Sequence, residues 1–456
     1  MRILIYGINF HPEPTGVGKY TGEMAEWLAS RGHEVRVVTA PPSYPQWRIF
    51  PGYRAWKYSR ESVRPQKGKG KPAGEGLNPV SGMEIFRCPT WVPANPSGLK
   101  RLLHLASFGM SSMPPILRQV RWSPDIVLLI EPTLFCALQA LLVARLAGAK
   151  AWLHVQDFEI DAGFGLGDFS ASRVREFAVA AERRIMSAFD RVSAISIRMV
   201  DRLLAKGVDP SRAVLFPNWV DTEEIFPQEG SSPLRKELGI PESTVVALYS
   251  GSMGKKHGLE LLVDAANRLK HCPGLRFIFC GAGPCRQMLA DKAKDLSNVT
   301  LLPVQPAGRL NDLLNLADIH LLPQLADAAD LVMPSKLTGM MASGRAIVAT
   351  ALSGTQLFEA LHGTGMVTPP GSLDAFVSTL LRLVEAPSLR ERLGREARCY
   401  AVSNLNREEI LHRFERSMLD ICGIPSPASE TLSRPAQRGA LAVKERAMAA
   451  GTVGED

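Results

Sequence analysis

The chain has 456 residues, 46% of them apolar and 21% charged, with a net charge of +8 and a pI of about 9.2. That length exceeds one ordinary hydrophobic core and suits two domains of roughly 200 residues each, and the composition is that of a globular protein. The positive balance favours anionic partners, whether nucleotide phosphates, nucleic acid or an anionic membrane face, and charge alone does not choose among them.

The N-terminal run MRILIYGINF passes straight into polar HPEPTG. It is too short for a signal core and lacks a small-residue cleavage pattern, so it predicts a first strand. A helix is expected over Tyr20 to Ser30, ending at Arg31-Gly32 as a C-cap should. The runs EVRVVTA, DIVLLIE, KAWLHVQD, RVSAIS and AVLFPN predict further strands, separated by amphipathic helical stretches. The most apolar later stretch, Leu128 to Leu153, contains Glu131, Arg145 and Lys150 and alternates as strand, helix, strand. It is therefore not expected to span a membrane. Between Val220 and Ser243 the composition turns to Pro, Glu, Ser and Gly, as in a linker, and the strand grammar then restarts with VVALYSG, LRFIFCG, NVTLLPV, ADIHLLP and RAIVAT.

Two doubly wound α/β domains follow from this pattern, covering 1–220 and 221–405, with ligands expected at the carboxyl ends of the strands in the cleft between the halves. Residues 406–422 read as a last amphipathic helix and 423–456 as a disordered tail, low in large apolar residues. Arg64 to Gly82 (RPQKGKGKPAGEGLNPVSG) reads as a mobile loop, with a basic membrane or acceptor contact as the alternative. Leu99 to Trp122 sets Lys100, Arg101, Arg118 and Arg121 among Leu, Met, Phe and Trp. Two readings stay open there: a segment resting on the cytoplasmic membrane face, or a core-packed helix pair broken at Pro114-Pro115. The seven cysteines show no CxxC pair and no matched histidine cluster, which argues for reduced thiols in a cytoplasmic protein and against structural zinc.

The candidate sites lie at strand ends. In the first loop, Gly16 and Gly18 let backbone N–H groups approach a ligand, with a helix N-terminus behind them that favours phosphate. The spacing does not fit a dinucleotide fingerprint, and no Walker lysine motif exists. After VALYSG come Gly251 and Gly254, then Lys255, Lys256 and His257, then a helix: a diphosphate site by electrostatics. Gly281 and Gly283 follow the apolar strand LRFIFC and offer backbone against which a base or ribose lies flat. Pro334, Ser335 and Lys336 open another helix whose free N–H groups suit a phosphate, with Asp327 and Asp330 just before it. Three phosphate-friendly loops at successive strand ends suggest a nucleotide diphosphate lying across the second domain. No D-x-D pair stands near them, so no metal and no other cofactor is expected, and lysines and helix dipoles meet the charge instead.

These strings resemble the GT-B glycosyltransferases of family 4, over roughly Met1 to Cys422. The likeness is to the colanic-acid-type exopolysaccharide enzymes, through FHPEPTGVGKYTGEMAEWL, VQDFEIDAGFGLG, FPNWVD and LPQLADAADLVMPSKLTGMMASGR. The resemblance implies two facing Rossmann-like domains, acceptor mainly on the first and nucleotide-sugar donor mainly on the second. It implies retention of anomeric configuration without metal, the leaving diphosphate helping to draw off the acceptor proton. A GDP-sugar such as GDP-fucose is the first donor to test, and a lipid-linked saccharide the expected acceptor. The family's glycine loop falls on Gly16 and Gly18, and its basic phosphate loop on Gly254, Lys255 and Lys256. Its His-Asp pair falls on Gln156-Asp157, and His154, two residues upstream on the same strand face, is the alternative histidine. Of the family's two glutamates seven residues apart, the first falls on Leu331 and the second on Gly339, so the ribose must be held otherwise, with Asp330 or Lys336 as candidates. The other readings are a non-catalytic scaffold of a polysaccharide assembly complex and a nucleotide-sugar epimerase on the same fold. Nucleic-acid binding is not expected, since no stacking-plus-basic motif is present.

Overall fold

The computed structural model describes residues 1–63, 82–94, 96, 98–131, 134–158, 172–254, 257–326 and 334–425. The chain forms two compact units, one of Met1–Pro217 with Leu411–Asp456 and one of Asn218–Ile410. The chain therefore passes between units twice, and the tail from residue 426 lies outside the described residues.

The first unit is built on eight strands: β1 (Arg2–Tyr6), β2 (Glu34–Thr39), β3 (Ser59–Val63), β4 (Met83–Arg87), β5 (Ile126–Glu131), β6 (Lys150–Val155), β7 (Arg191–Ala194) and β8 (Ala213–Leu215). Their order in the sheet is β3-β4-β2-β1-β5-β6-β7-β8, parallel throughout except that β3 runs antiparallel to β4. Every residue of β5 is buried, because helices cover both faces of a parallel sheet and leave no solvent side for a polar residue. The stretch Leu128 to Leu153 is strand, helix α3 (Ala137–Ala147) and strand, as its alternation predicts. Among the described residues no helix is long and apolar enough to cross a membrane.

Three elements depart from the sequence reading. Helix α1 covers Gly16–Ser30 and so starts four residues earlier than Tyr20, taking the expected glycine loop into its own first turn. The strands β3 and β4 are additions to the sequence reading: SRESV is a polar edge strand with none of its residues fully buried, while MEIFR buries Met83 and Ile85. Glu61 of β3 holds Arg87 of β4, whose side chain is only 1% exposed. Arg87 also donates to the carbonyls of Ala40 and His11, at 3.1 and 2.8 Å, bracing the loop after β1. The segment expected to be a loop, Arg64 to Gly82, lies between these strands and, Gly82 apart, outside the described residues.

The third departure is helix α2 (Gly98–Arg118), which continues through Pro114 and Pro115 instead of breaking into a pair. A proline removes the N–H that would reach the carbonyl four residues back. For Pro115 that carbonyl belongs to Ser111, and the Tyr58 hydroxyl donates to it at 2.8 Å. The acceptor orphaned by Pro115 is thus satisfied from a neighbouring loop.

Within the helix Arg407–Ile421 the chain returns to the first unit, from Leu411 onward. Phe414 stacks on Phe216 with centroids 3.9 Å apart and meets Trp152 edge-on at 5.0 Å. Beside it, Glu415 accepts from His33 at 2.8 Å and lies 3.5 Å from both Arg31 and His412. Burial alone would raise the Glu415 carboxyl, but the His33 hydrogen bond, with His412 and Arg31, outweighs it and holds the group well below the usual carboxylate range.

The second unit carries six parallel strands: β9 (Val245–Ser250), β10 (Leu275–Cys280), β11 (Val299–Leu302), β12 (Ile319–Leu322), β13 (Ala346–Thr350) and β14 (Met366–Thr368). Their order is β11-β10-β9-β12-β13-β14. From β9 the chain moves outward to β10 and β11, then returns to the other side of β9 with β12. The strand order reverses between β9 and β12, which makes their carboxyl ends the switch point where ligands bind in open α/β sheets. In the first unit the same reversal falls between β1 and β5.

Candidate functional site

At the switch point of the second unit the residue leaving β9 is Gly251, and among the described residues the helix Lys336–Ala342 follows β12, so topology brings Gly251 and Lys336 together. Gly251 has φ +135°, and a Cβ there would sit 3.5 Å from Lys336 Cδ and 3.6 Å from Nζ. The lysine side chain lies across the glycine. Its Nζ donates to the Tyr249 hydroxyl at 3.0 Å and stands 4.2 Å from the centre of the same ring. The hydroxyl in turn donates to the Ser252 carbonyl at 2.5 Å. Direction is fixed along this chain: lysine to phenol, phenol to backbone.

Burial pushes the Lys336 amine down to about 7 and raises the Tyr249 phenol, which keeps its proton and its role as donor. An ammonium has three donors, and Tyr249 takes one, so two remain for an anion at the end of β9. Desolvation that weakens the free ammonium also strengthens its attraction for a phosphate placed beside it. Tyr249 was not singled out from the sequence. Its one signal is its place two residues before Gly251, on the same strand face.

The remaining sequence candidates divide. Gly254 packs against the His257 ring, with a Cβ placed 3.5 Å from that ring's Cδ2. Lys255, Lys256, Asp327, Asp330 and Leu331 lie outside the described residues. Pro334 and Ser335 precede the helix Lys336–Ala342, with Ser335 at its N-cap and exposed. Gly339, on the same helix, is half-buried, and a Cβ there would press on Leu314 Cδ1 at 3.3 Å.

Gly281 and Gly283 have a reason other than a ligand. A Cβ on Gly281 would lie 2.0 Å from the Gly251 carbonyl oxygen, and one on Gly283 would lie 2.6 Å from the Met253 carbonyl oxygen. The Met253 N–H donates to Ala282 O at 2.8 Å, and the Cys285 N–H donates back to Met253 O at 2.9 Å. The loops after β9 and β10 are thus laced backbone to backbone, and only glycine permits the approach.

In the first unit, Gly16 has φ +64°, while Gly18 makes room for Glu13, whose Oε2 would be 2.4 Å from a Cβ at that position. The Glu13 carboxylate is buried and takes N–H groups from Ser43 and Tyr44 at 2.9 Å each, and the Asn9 amide at 2.9 Å. Burial raises it, with those hydrogen bonds and Arg87 acting against the rise. The sequence reading passed over Glu13, and a ligand role for Gly18 is not needed to explain the glycine.

His154, Gln156 and Asp157 lie at the end of β6. His154 is 2% exposed; its Nδ1 is 2.9 Å from Ser193 Oγ and its ring 4.8 Å from that of Phe216. Burial lowers its pKa to about 3, against a smaller upward effect of Ser193, so it stays neutral inside the core. Gln156 is also buried, and Asp157 is half-buried at the strand end.

Known proteins carry the same architecture. A family model described as "Glycosyl transferase 4-like domain" matches residues 15–219, and one described as "Glycosyl transferases group 1" matches residues 231–399. A putative colanic acid biosynthesis glycosyl transferase, WcaI of Escherichia coli K12, is 41% identical over 91% of this chain and 98% of its own length. The chain belongs to the GT-B glycosyltransferases. Among other relatives of this glycosyltransferase, a D-inositol 3-phosphate glycosyltransferase of Mycobacteroides abscessus is 29% identical over 41% of this chain and 43% of its own. In fold it is similar to sucrose-phosphate synthase of Thermosynechococcus elongatus, with a TM-score of 0.67 at 16% identity, covering 93% of this chain and 99% of that one. It is also similar to Anabaena HepE in complex with UDP and glucose, with a TM-score of 0.62 at 15% identity over 92% of this chain and 100% of that one. The two Rossmann-like units and the family resemblance read from the sequence are both borne out.

Proposed function

We propose that this glycosyltransferase moves a sugar, with retention of configuration, from a nucleotide-diphosphate sugar to a polyprenyl-diphosphate-linked oligosaccharide in exopolysaccharide synthesis, at the cytoplasmic face of the membrane. The observation that carries the donor side is Lys336, half-buried, bonded to Tyr249 and laid across Gly251 where the strand order reverses. The polysaccharide context follows the name of the Escherichia coli relative. A GDP-sugar, GDP-fucose first, is the donor to try.

In this reading the bond from the sugar's anomeric carbon to the diphosphate breaks, and its electron pair leaves with the diphosphate. The acceptor oxygen bonds to the same face of that carbon, and its proton passes to the departing diphosphate. Lys336, with Lys255 and Lys256 and the Gly251 to Gly254 loop, meets the growing negative charge, so no obligatory divalent ion takes part. Pro334 and Ser335 support the phosphate end, Gly281 and Gly283 the base, and Asp330 or Lys336 the ribose in place of the missing glutamate at Gly339. Gly16 and Gly18, at the start of α1, belong with the donor residues, and Asp157 and Gln156 stand at the end of β6 with His154 behind them as the catalytic candidates.

Thermal stabilisation by a panel of GDP-, UDP- and ADP-sugars, followed by transfer assays with and without EDTA, tests this. Stabilisation by a GDP-sugar and EDTA-insensitive transfer are expected. A response to UDP-sugars alone would replace the donor, EDTA inhibition would restore a metal, and no response to any nucleotide sugar would remove the donor site.

A further inference from the structure

Helices α2 and α3 lie side by side in the first unit and expose a shared apolar face. Gln139 of α3 donates its side-chain amide to the Gly109 carbonyl of α2 at 2.8 Å, and a Cβ on Gly109 would come 3.7 Å from that of Phe135. Flanking this crossing, Met110 is 73% exposed and Leu138 is 67% exposed. Each belongs to a ladder: Leu103, Met110 and Leu117 recur every seven residues on α2, and Leu138, Leu142 and Leu146 every four on α3, all exposed. Six exposed apolar residues on two helices in contact differ from the single exposed apolar residues common on soluble proteins.

The charges carried by these two segments have one sign. From Gly98 to Trp122 the chain has Lys100, Arg101, Arg118 and Arg121 and no carboxylate; from Leu134 to Lys150 it has Arg145 and Lys150 and again none. All six are exposed, Lys150 sharing its charge with Asp190 at 3.6 Å. The loop pinned to α2 by the Tyr58 hydroxyl carries Trp56, 72% exposed, two residues before that tyrosine. Aromatic rings with a polar edge settle at the level of lipid headgroups, between an apolar floor and water.

We propose that the α2–α3 face docks on an anionic bilayer, its leucines and methionines entering the acyl boundary while the arginines and lysines engage lipid phosphates. This rests on the reading that the acceptor is lipid-borne, and it names the surface that brings the enzyme to it. An amphipathic face of this kind is held jointly by apolar insertion and by attraction to negative headgroups, so both components are measurable separately.

The test is co-sedimentation of the full chain with vesicles of phosphatidylethanolamine and phosphatidylglycerol, and with vesicles of phosphatidylcholine alone. The parent is expected to bind the anionic vesicles at least tenfold better, and to lose that margin in high salt. The double variant Leu138→Gln/Leu142→Gln is expected to lose at least tenfold in partitioning, and Arg118→Glu/Arg121→Glu to lose binding to anionic vesicles. Unchanged circular dichroism and nucleotide-sugar binding show that the variants are folded. If the parent binds and the leucine variant binds equally well, this face is not the docking surface, and a membrane-bound acceptor survives through another. If the parent ignores vesicles yet glycosylates a water-soluble acceptor, the docking fails and the transfer reading stands. If the parent sediments as a dimer that the leucine changes dissociate, the face joins two copies of the chain, and the proposal is overturned.

Discussion

The Lys336 nitrogen lies 3.0 Å from the Tyr249 hydroxyl and 4.2 Å from the centre of the same ring, so one aromatic side chain holds the amine both by a hydrogen bond and by its π face. Its proton is lost near pH 7 in the empty folded protein, whereas an unfolded chain keeps it to about 10.5. Between those values the unfolded state alone binds the proton, so stability rises with pH across that window. A bound diphosphate reverses this by restoring the ammonium. Nucleoside diphosphate affinity is expected to fall by up to about tenfold per pH unit above 7, with proton uptake on binding at pH 8. Calorimetry in two buffers of different ionisation heat reads that uptake. Lys336→Met abolishes it, and an uptake that persists in the variant would place the titrating group elsewhere.

Tyr249→Phe keeps the ring and deletes the hydroxyl, leaving the Ser252 carbonyl without its donor and Lys336 without its acceptor. A loss of about 1 kcal/mol in donor binding is expected, roughly fivefold in Kd, with the fold retained. Binding as tight as the parent's would mean that the phenol does not position the lysine.

Gly281→Ala puts a methyl carbon 2.0 Å from the Gly251 carbonyl oxygen at φ +154°, a conformation that L side chains rarely adopt. Overpacking and backbone strain together are expected to cost about 2–5 kcal/mol. Gly308→Ala, with nothing within 4 Å of its Cβ, is the control and should melt like the parent. Scanning calorimetry that finds the two alike would refute the lacing of the β9 and β10 loops.

Glu415→Gln removes the carboxylate that holds the helix Arg407–Ile421 to His33. Because the folded carboxyl titrates below its unfolded value of 4.5, its contribution is complete above that pH and fades as pH falls toward the folded value. The variant should lose about 2 kcal/mol at pH 7, where the buried His33 loses its charged hydrogen-bond partner. The gap from the parent should narrow in acid; a gap constant from pH 7 to 3 would exclude this linkage.

His154 and Asp157 are separable by measurement. His154→Asn breaks the packing on Phe216 and the bond to Ser193, and is expected to lower Tm, at a cost of about 1–3 kcal/mol. Asp157→Asn, half-buried at the strand end, is expected to lower kcat by at least tenfold with Tm nearly unchanged. A fall in kcat without loss of Tm for His154→Asn would return the histidine to the chemistry.

The strands were legible wherever an apolar run fills a parallel sheet, as in VALYS and IVLLIE, because both faces of such a strand demand the same residue types. SRESV was not legible, since an edge strand pairs through its backbone and its side chains carry no apolar pattern. The glycine-rich loops were found for a reason the structure changes. Gly281 and Gly251 stand thirty positions apart in the chain, and their contact exists only once β9 and β10 pair in register, Ser250 opposite Cys280. In the same way Pro114-Pro115 read as a break because the donor that replaces the lost N–H comes from Tyr58, far back in the chain.

The second passage between units has a consequence for the order of synthesis. Residues 1–217 emerge from the ribosome with every strand of their sheet, but Phe414 and Glu415, which cover Phe216 and Trp152 and engage His33, are translated only after the whole of Asn218–Ile410. The N-terminal sheet waits, with its aromatic seam open, while the later unit has all the chain it needs to close. The half that is made first is finished last.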